Sequence, residues 1–204
     1  MKNILLHGLL QTPSSWKVIQ SQLQEKQIDS QCPNLFQMTQ EKTYQNLFNE
    51  FTNFCNNQKG KLNLCGLSFG GILALEYAKK FPEKVNSLII INVPYTIPKI
   101  LFQIQNIIFH FMPKKVFQKV GMTKKEFRKF LKSMSQIEIK KNIEKISCPC
   151  FILNGSSDYS NKKSAKHFQE QIAKSKVQII SNSSHEVNVD NPFELSKIII
   201  DVWK

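Results

Sequence analysis

Short apolar runs alternate with longer stretches of helical periodicity along most of the chain. The runs at 2–7 (KNILLH), 28–32, 61–66 (KLNLCG), 85–91 (VNSLIII), 149–154 and 176–181 (KVQIIS) have strand length and are mostly rich in Ile, Leu and Val. Several are apolar at nearly every position, as expected of parallel strands buried on both faces. Between them, segments at about 14–26, 40–57, 69–80, 161–174 and 191–203 show helical spacing. The alternation predicts an α/β fold, a six-stranded parallel sheet flanked by helices and joined by right-handed crossovers. Element ends carry their own signals. Thr12, Ser14 and Ser15 offer hydroxyl caps ahead of Trp16, Asp190 reads as a cap before Asn191-Pro192, and Pro82 halts the helix that follows Ser68.

One segment breaks the alternation. Ile97, Ile100, Leu101, Ile104, Ile107, Ile108 and Phe111 recur at helical spacing, bounded by Pro94, Pro98 and Pro113. Phe102, Phe109 and Met112 widen that stripe, and a second, basic helical stretch follows at about 123–144. We therefore expect one domain over 1–204 with a helical cap inserted at about 95–146. The wide stripe faces either the core or an acyl ligand; the pattern leaves both open.

At 204 residues and 41% apolar composition, the chain is long enough for one well-buried core. No apolar run approaches the roughly 18–20 residues of a membrane span. The stretch Asn3–Gly8 is too short for a secretory h-region, so the expected location is cytoplasmic. The five cysteines are odd in number, and Cys148-Pro149-Cys150 has no matching Cys or His pair, so no metal site is expected. The net charge of +13 raises the question of nucleic acid, but Arg128 is the only arginine and no nucleic-acid motif accompanies it. The excess is local, because residues 99–145 hold 12 Lys or Arg against 3 Glu. A solvated outer face is the simplest reading. Attraction of an acidic substrate, an acyl-carrier protein or an anionic membrane surface remains open.

Candidate chemistry begins with Gly66-Leu67-Ser68-Phe69-Gly70, a G-x-S-x-G pattern. Its context carries the argument: a predicted strand runs directly in and a predicted helix directly out. A serine on such a corner is raised above the sheet edge in a strained conformation, beside the unpaired N–H groups of a helix N-terminus. Its hydroxyl needs a base, and the base an acid. Of His7, His110, His167 and His185, only His185 lies in a loop directly after a strand at that sheet edge. Of Asp29, Asp158, Asp190 and Asp201, Asp158 lies in Asn154-Gly155-Ser156-Ser157-Asp158, leaving the carboxyl end of a strand. His7 reads as structural support, and His110 and His167 receive no role.

The order Ser68, Asp158, His185 resembles that of the α/β-hydrolase family, and the likeness spans nearly the whole chain. Leu5-Leu6-His7-Gly8-Leu9 resembles its oxyanion loop and Leu64–Gly71 its nucleophile elbow. Pro149–Gly155 with Asp158 resembles its acid strand, and Ser183-Ser184-His185 with Asn191-Pro192 its histidine loop. The resemblance implies a catalytic triad of Ser68, His185 and Asp158, with the N–H groups of Leu9 and Phe69 as the oxyanion hole. It implies no metal or organic cofactor and a small-molecule ester or thioester as substrate. Three departures stand out. The chain begins at what would be the third strand, Asn34 stands where many relatives carry Asp, and the cap is short and basic. The leading expectation is a carboxylesterase for small or medium acyl esters. A triad-based lyase, a thioesterase and a non-catalytic ligand-binding or membrane-associated protein are the alternatives.

Overall fold

The computed structural model describes residues 1–97 and 112–204. Within them, six strands form one sheet in the order β2-β1-β3-β4-β5-β6. These are β1 (Lys2–Leu6), β2 (Ser30–Gln31), β3 (Leu62–Leu67), β4 (Val85–Ile91), β5 (Cys150–Gly155) and β6 (Ser175–Ile180). Every pairing is parallel. The helices are α1 (Lys17–Glu25), α2 (Tyr44–Asn56), α3 (Phe69–Lys80), α4 (Lys114–Lys119), α5 (Lys124–Met134), α6 (Tyr159–Gln171), the single turn α7 (Val187–Asp190) and α8 (Pro192–Trp203).

The period-2 geometry of the strands sorts their apolar side chains onto two faces. Ile4 and Leu6 of β1, Leu64 of β3, Leu88 and Ile90 of β4 and Ile152 of β5 point to one face, covered by α2, α3, α5 and α6. Leu5, Cys65, Leu67, Ile89, Ile91 and Leu153 point to the other, covered by α1 and α8. The two edges depart from the continuous-run expectation. β2 shrinks to two residues paired with Asn3 and Ile4, and β6 keeps most of its side chains at least partly exposed. Each edge strand has only one sheet neighbour, so alternation with polar residues is tolerated there.

Sequence cues for the boundaries hold in part. Thr43 caps α2, its side chain accepting from the Asn46 N–H at 3.3 Å. The Thr12 hydroxyl instead hydrogen-bonds the Ser14 hydroxyl at 2.7 Å and caps no backbone group. The basic stretch expected as helix over 123–144 is α-helical only to Met134, with a single 3-10 turn at Ile143–Lys145. It opens on a capping box between Thr123 and Glu126. Beyond Met134 the chain turns, because Lys79 of α3 is buried and collects backbone carbonyls there. Its ammonium donates to the carbonyls of Ile139 and Lys141 at 3.0 Å each and pairs with the Glu76 carboxylate at 2.5 Å.

The first helical stretch expected of the cap, Ile97 to Met112 with His110, falls almost entirely outside the described residues. The remainder of the segment is part of the main core. Phe117, Phe127, Phe130 and Leu131 are buried in the same cluster as the sheet face and α3. Phe130 stands edge-on to Phe36 and Phe69, with ring centroids 5.5 and 5.4 Å away. The lysines take the opposite face: Lys114, Lys115, Lys119, Lys125, Lys129 and Lys132 are exposed, as is Arg128. We expect Phe130→Ala to lower the unfolding free energy by about 3–5 kcal/mol in urea titration. A loss below about 1 kcal/mol would mean that α5 rests on the domain rather than forming its core.

Candidate active site

β3 delivers the chain to Ser68, whose φ of 51° and ψ of −112° lie outside the regions favoured by L-residues. The Ser68 N–H donates to the Ile91 carbonyl at 2.8 Å, so β4 anchors the corner. The flanking glycines are required by space. A Cβ on Gly70 would collide with the Leu6 carbonyl of β1, and one on Gly66 would collide with the backbone of Gly70. Phe69 then opens α3, where first-turn N–H groups have no helical partner and the positive end of the helix dipole faces the site.

The loop after β1 is held from behind by His7. The fully buried ring accepts the Leu35 N–H at Nε2 (3.1 Å) and donates from Nδ1 to the Gly8 carbonyl (2.9 Å). Desolvation pushes its pKa down to about 4, against the partial opposition of the Gly8 hydrogen bond. The ring is therefore neutral at pH 7 and supports the loop structurally.

Asp158 ends the loop after β5 and caps α6, which explains why that helix starts at Tyr159 rather than 161. Its carboxylate is almost fully buried and accepts four hydrogen bonds. They come from His185 Nδ1 at 2.7 Å, Asn161 Nδ2 at 2.8 Å, the Ser160 hydroxyl at 2.5 Å and the Asn161 N–H at 3.3 Å. Burial alone would raise this carboxyl. The bonds from Ser160, Asn161 and His185 together outweigh burial and hold it below the ordinary carboxylate range. With Nδ1 donating to Asp158, the Nε2 of a neutral His185 is left as an acceptor.

Two further residues set the histidine loop, and sequence reading assigned neither of them this work. Asn92, just past β4, is buried with a φ of 49°. Its Nδ2 donates to the carbonyls of Ser184 and His185, both at 2.9 Å, while its Oδ1 accepts from Asn154 Nδ2 and the Gly155 N–H, both at 3.1 Å. Its one sequence signal is an asparagine closing the apolar run Leu88–Ile91. Asp190 is not the helix cap expected of it. It ends α7 and accepts from the Ser184 N–H at 2.7 Å and the Ser184 hydroxyl at 2.5 Å, while Asn191 caps α8 through the Glu194 N–H at 3.2 Å.

Ser68, Leu9, Phe69 and His185 line one cavity of about 420 Å³, with Asp158 directly behind His185. Ile72, Pro94, Ile97, Leu131 and Met134 supply an apolar wall, and Thr96, Ser160 and Ser164 a neutral polar rim. His185 is half-exposed at this opening. His167 lies apart on α6, 3.4 Å from Glu170 and 5.1 Å from the Tyr95 ring. Cys148 and Cys150 are free buried thiols. Among the described residues, no group of three His, Cys, Asp or Glu is placed to hold a metal ion.

The sequence model of the family described as alpha/beta hydrolase fold matches residues 4–114, more than half of the chain. The chain belongs to the α/β-hydrolase family. No curated protein matches it by sequence. Among solved structures, this α/β-hydrolase is similar to a thermophilic esterase from Thermogutta terrifontis, with a TM-score of 0.79 and 16% identity over 100% of this chain and 91% of the other. An enol-lactonase from Burkholderia xenovorans gives a TM-score of 0.80 and 14% identity over 98% and 90%. A structure from work on the carboxylesterases of Nitrososphaera gargenis gives 0.77 and 17% over 98% and 89%. At these identities the likeness is one of fold, and it extends beyond the sequence match to the whole sheet.

His7 ties this hydrolase loop to acid stability. Its folded pKa of about 4 lies below the ordinary 6.5, so between those values the unfolded chain binds the extra proton and stability falls as pH falls. The full effect is about 3 kcal/mol. Urea midpoints should therefore drop between pH 7 and pH 4.5 in the wild type and drop less in His7→Gln. Equal slopes would contradict a neutral buried ring.

Proposed function

We propose that this protein hydrolyses neutral carboxylic esters of small or medium acyl chain through a Ser68 acyl-enzyme. The observation that carries the reading is the 2.7 Å bond between a buried, ionised Asp158 and His185, which lines a cavity whose wall includes the strained Ser68 corner. In this reading His185 Nε2 takes the Ser68 proton as Oγ attacks the ester carbonyl carbon. Asp158 fixes the imidazole tautomer and stabilises the imidazolium. The N–H groups of Leu9 and Phe69 receive the oxyanion, an interaction worth about 3–4 kcal/mol per donor in comparable sites. Collapse of the tetrahedral intermediate breaks the ester C–O bond, and the alcohol leaves with the proton from His185. Water, deprotonated by the same imidazole, then releases the acid and restores Ser68.

The lining favours a neutral acyl group. The wall is apolar, and among the described residues around the cavity there is neither Lys nor Arg to pair with a substrate carboxylate. A thioester would pass through the same steps with a thiol leaving group. The exposed lysines of α4 and α5 stand on the face opposite the buried phenylalanines, which supports their reading as a solvated surface.

The test is hydrolysis of p-nitrophenyl esters from acetate to decanoate. Ser68→Ala should abolish turnover, and Asp158→Asn should lower kcat by about 10³–10⁴-fold. Turnover surviving in Ser68→Ala would overturn the mechanism. Wild type that is inert to the esters yet labelled at Ser68 by a fluorophosphonate would keep the nucleophile and reject the substrate class.

A further inference from the structure

The first β-strand's exit loop and the histidine loop meet through two amides that lie 177 positions apart in sequence. Gln11 Nε2 donates to Asn188 Oδ1 at 3.1 Å, and Asn188 Nδ2 donates back to Gln11 Oε1 at 3.1 Å. Both side chains are buried, 4% and 2% exposed, at the inner edge of a cleft they help to line, so each amide takes its inward hydrogen bonds from the other. Outer contacts fix the orientation of the pair. Gln11 Oε1 also accepts the Gly8 N–H at 3.3 Å, and Asn188 Nδ2 also donates to the Ser15 carbonyl at 3.2 Å. Rotating both amides would set a donor against the Gly8 donor and an acceptor against the Ser15 acceptor.

The consequence falls on the Gly8–Leu9 peptide. Its carbonyl accepts from the Gln11 N–H at 3.2 Å and from His7 Nδ1 at 2.9 Å. Its plane is thus held on the carbonyl side by the Gln11 main chain and His7, while the Gln11 side chain fixes the preceding peptide through the Gly8 N–H. In a trans peptide the N–H points away from the carbonyl, so the Leu9 N–H is directed away from Gln11 and His7. No described residue accepts it, and Leu9 lines the cavity beside Ser68. Asn188 belongs to α7, which begins two residues after His185. The amide pair therefore joins the loop of the acceptor-seeking N–H to the loop of the imidazole.

We infer that Gln11 and Asn188 form a clamp that sets the Leu9 N–H at the distance from His185 and Ser68 required by a developing oxyanion. Both are positioning residues: neither lines the cavity, and both act through Leu9. The inference rests on the esterase reading above and adds to it the part of the chain that holds one arm of the oxyanion hole.

The experiment uses the full chain, with competent sites counted by fluorophosphonate titration so that misfolded molecules do not enter the rates. Gln11→Leu and Asn188→Leu should each lower kcat for a p-nitrophenyl ester by about 10–100-fold, with KM within about threefold of wild type. The double variant should lose little more than the worse single one, as expected of two halves of one device. Affinity for a trifluoromethyl ketone, whose hemiketal oxyanion needs the same N–H, should weaken by the factor lost in kcat/KM. If the leucine variants fail to fold, Asn188→Ala serves, since its vacancy opens on a cleft lined by Leu10, Val18 and Val189 where water can enter. If the esters are not turned over, the rate constant for phosphonylation of Ser68 replaces kcat. Variants that only melt earlier, with wild-type rates per titrated site, would overturn the clamp and leave the esterase reading standing. A wild type inert to both esters and fluorophosphonate would overturn the nucleophile, and the clamp with it.

Discussion

Three backbones converge where β3 becomes α3, and their separation leaves no room for a side chain. Gly70 lies against the Leu6 carbonyl of β1, and Gly66 lies against Gly70 itself. That contact lets α3 start immediately above the sheet and forces Ser68 into its strained dihedrals. Its neighbours hold the corner: the Ile91 carbonyl of β4 takes the Ser68 N–H, and the buried rings of Phe36 and of Phe130 on α5 enclose Phe69. If the approach widened, the serine would relax and the first turn of α3 would no longer face the cavity.

A parallel sheet gathers the rest of the site at one edge, because every strand ends there. The loops after β1, β3, β5 and β6 bring Leu9, Ser68, Asp158 and His185, and the exit of β4 brings Asn92. Asp158 works in two structures at once, capping α6 and accepting from His185. Its four hydrogen bonds keep a buried carboxyl ionised, so the charge that orients the imidazole also begins a helix.

The strands, their parallel order and the elbow were legible because they depend on local pattern. Apolar runs mark buried strands, and glycines around a serine mark a corner without space. Ser68, Asp158 and His185 stood out because each follows the carboxyl end of a strand in a chain with few histidines and aspartates. Gln11, Asn92 and Asn188 did not, because an amide's use is set by partners remote in sequence. Asp190 looked like a cap from its neighbours, yet its carboxylate turns back to Ser184 and the adjacent asparagine caps instead. The end of α5 was illegible for a similar reason, since a lysine on another helix takes up the carbonyls that follow it.

Leu131 and Met134 face the cavity from the same helix whose Phe127 and Phe130 are fully buried. In a protein whose selectivity wall is a separate flap, the wall can change shape while the domain beneath it stays intact. At Leu131 and Met134 the wall and the core are one piece of helix. Variation that remodels this pocket is drawn from the same residues that hold the fold together, so new selectivity on this scaffold evolves within the limits of its stability.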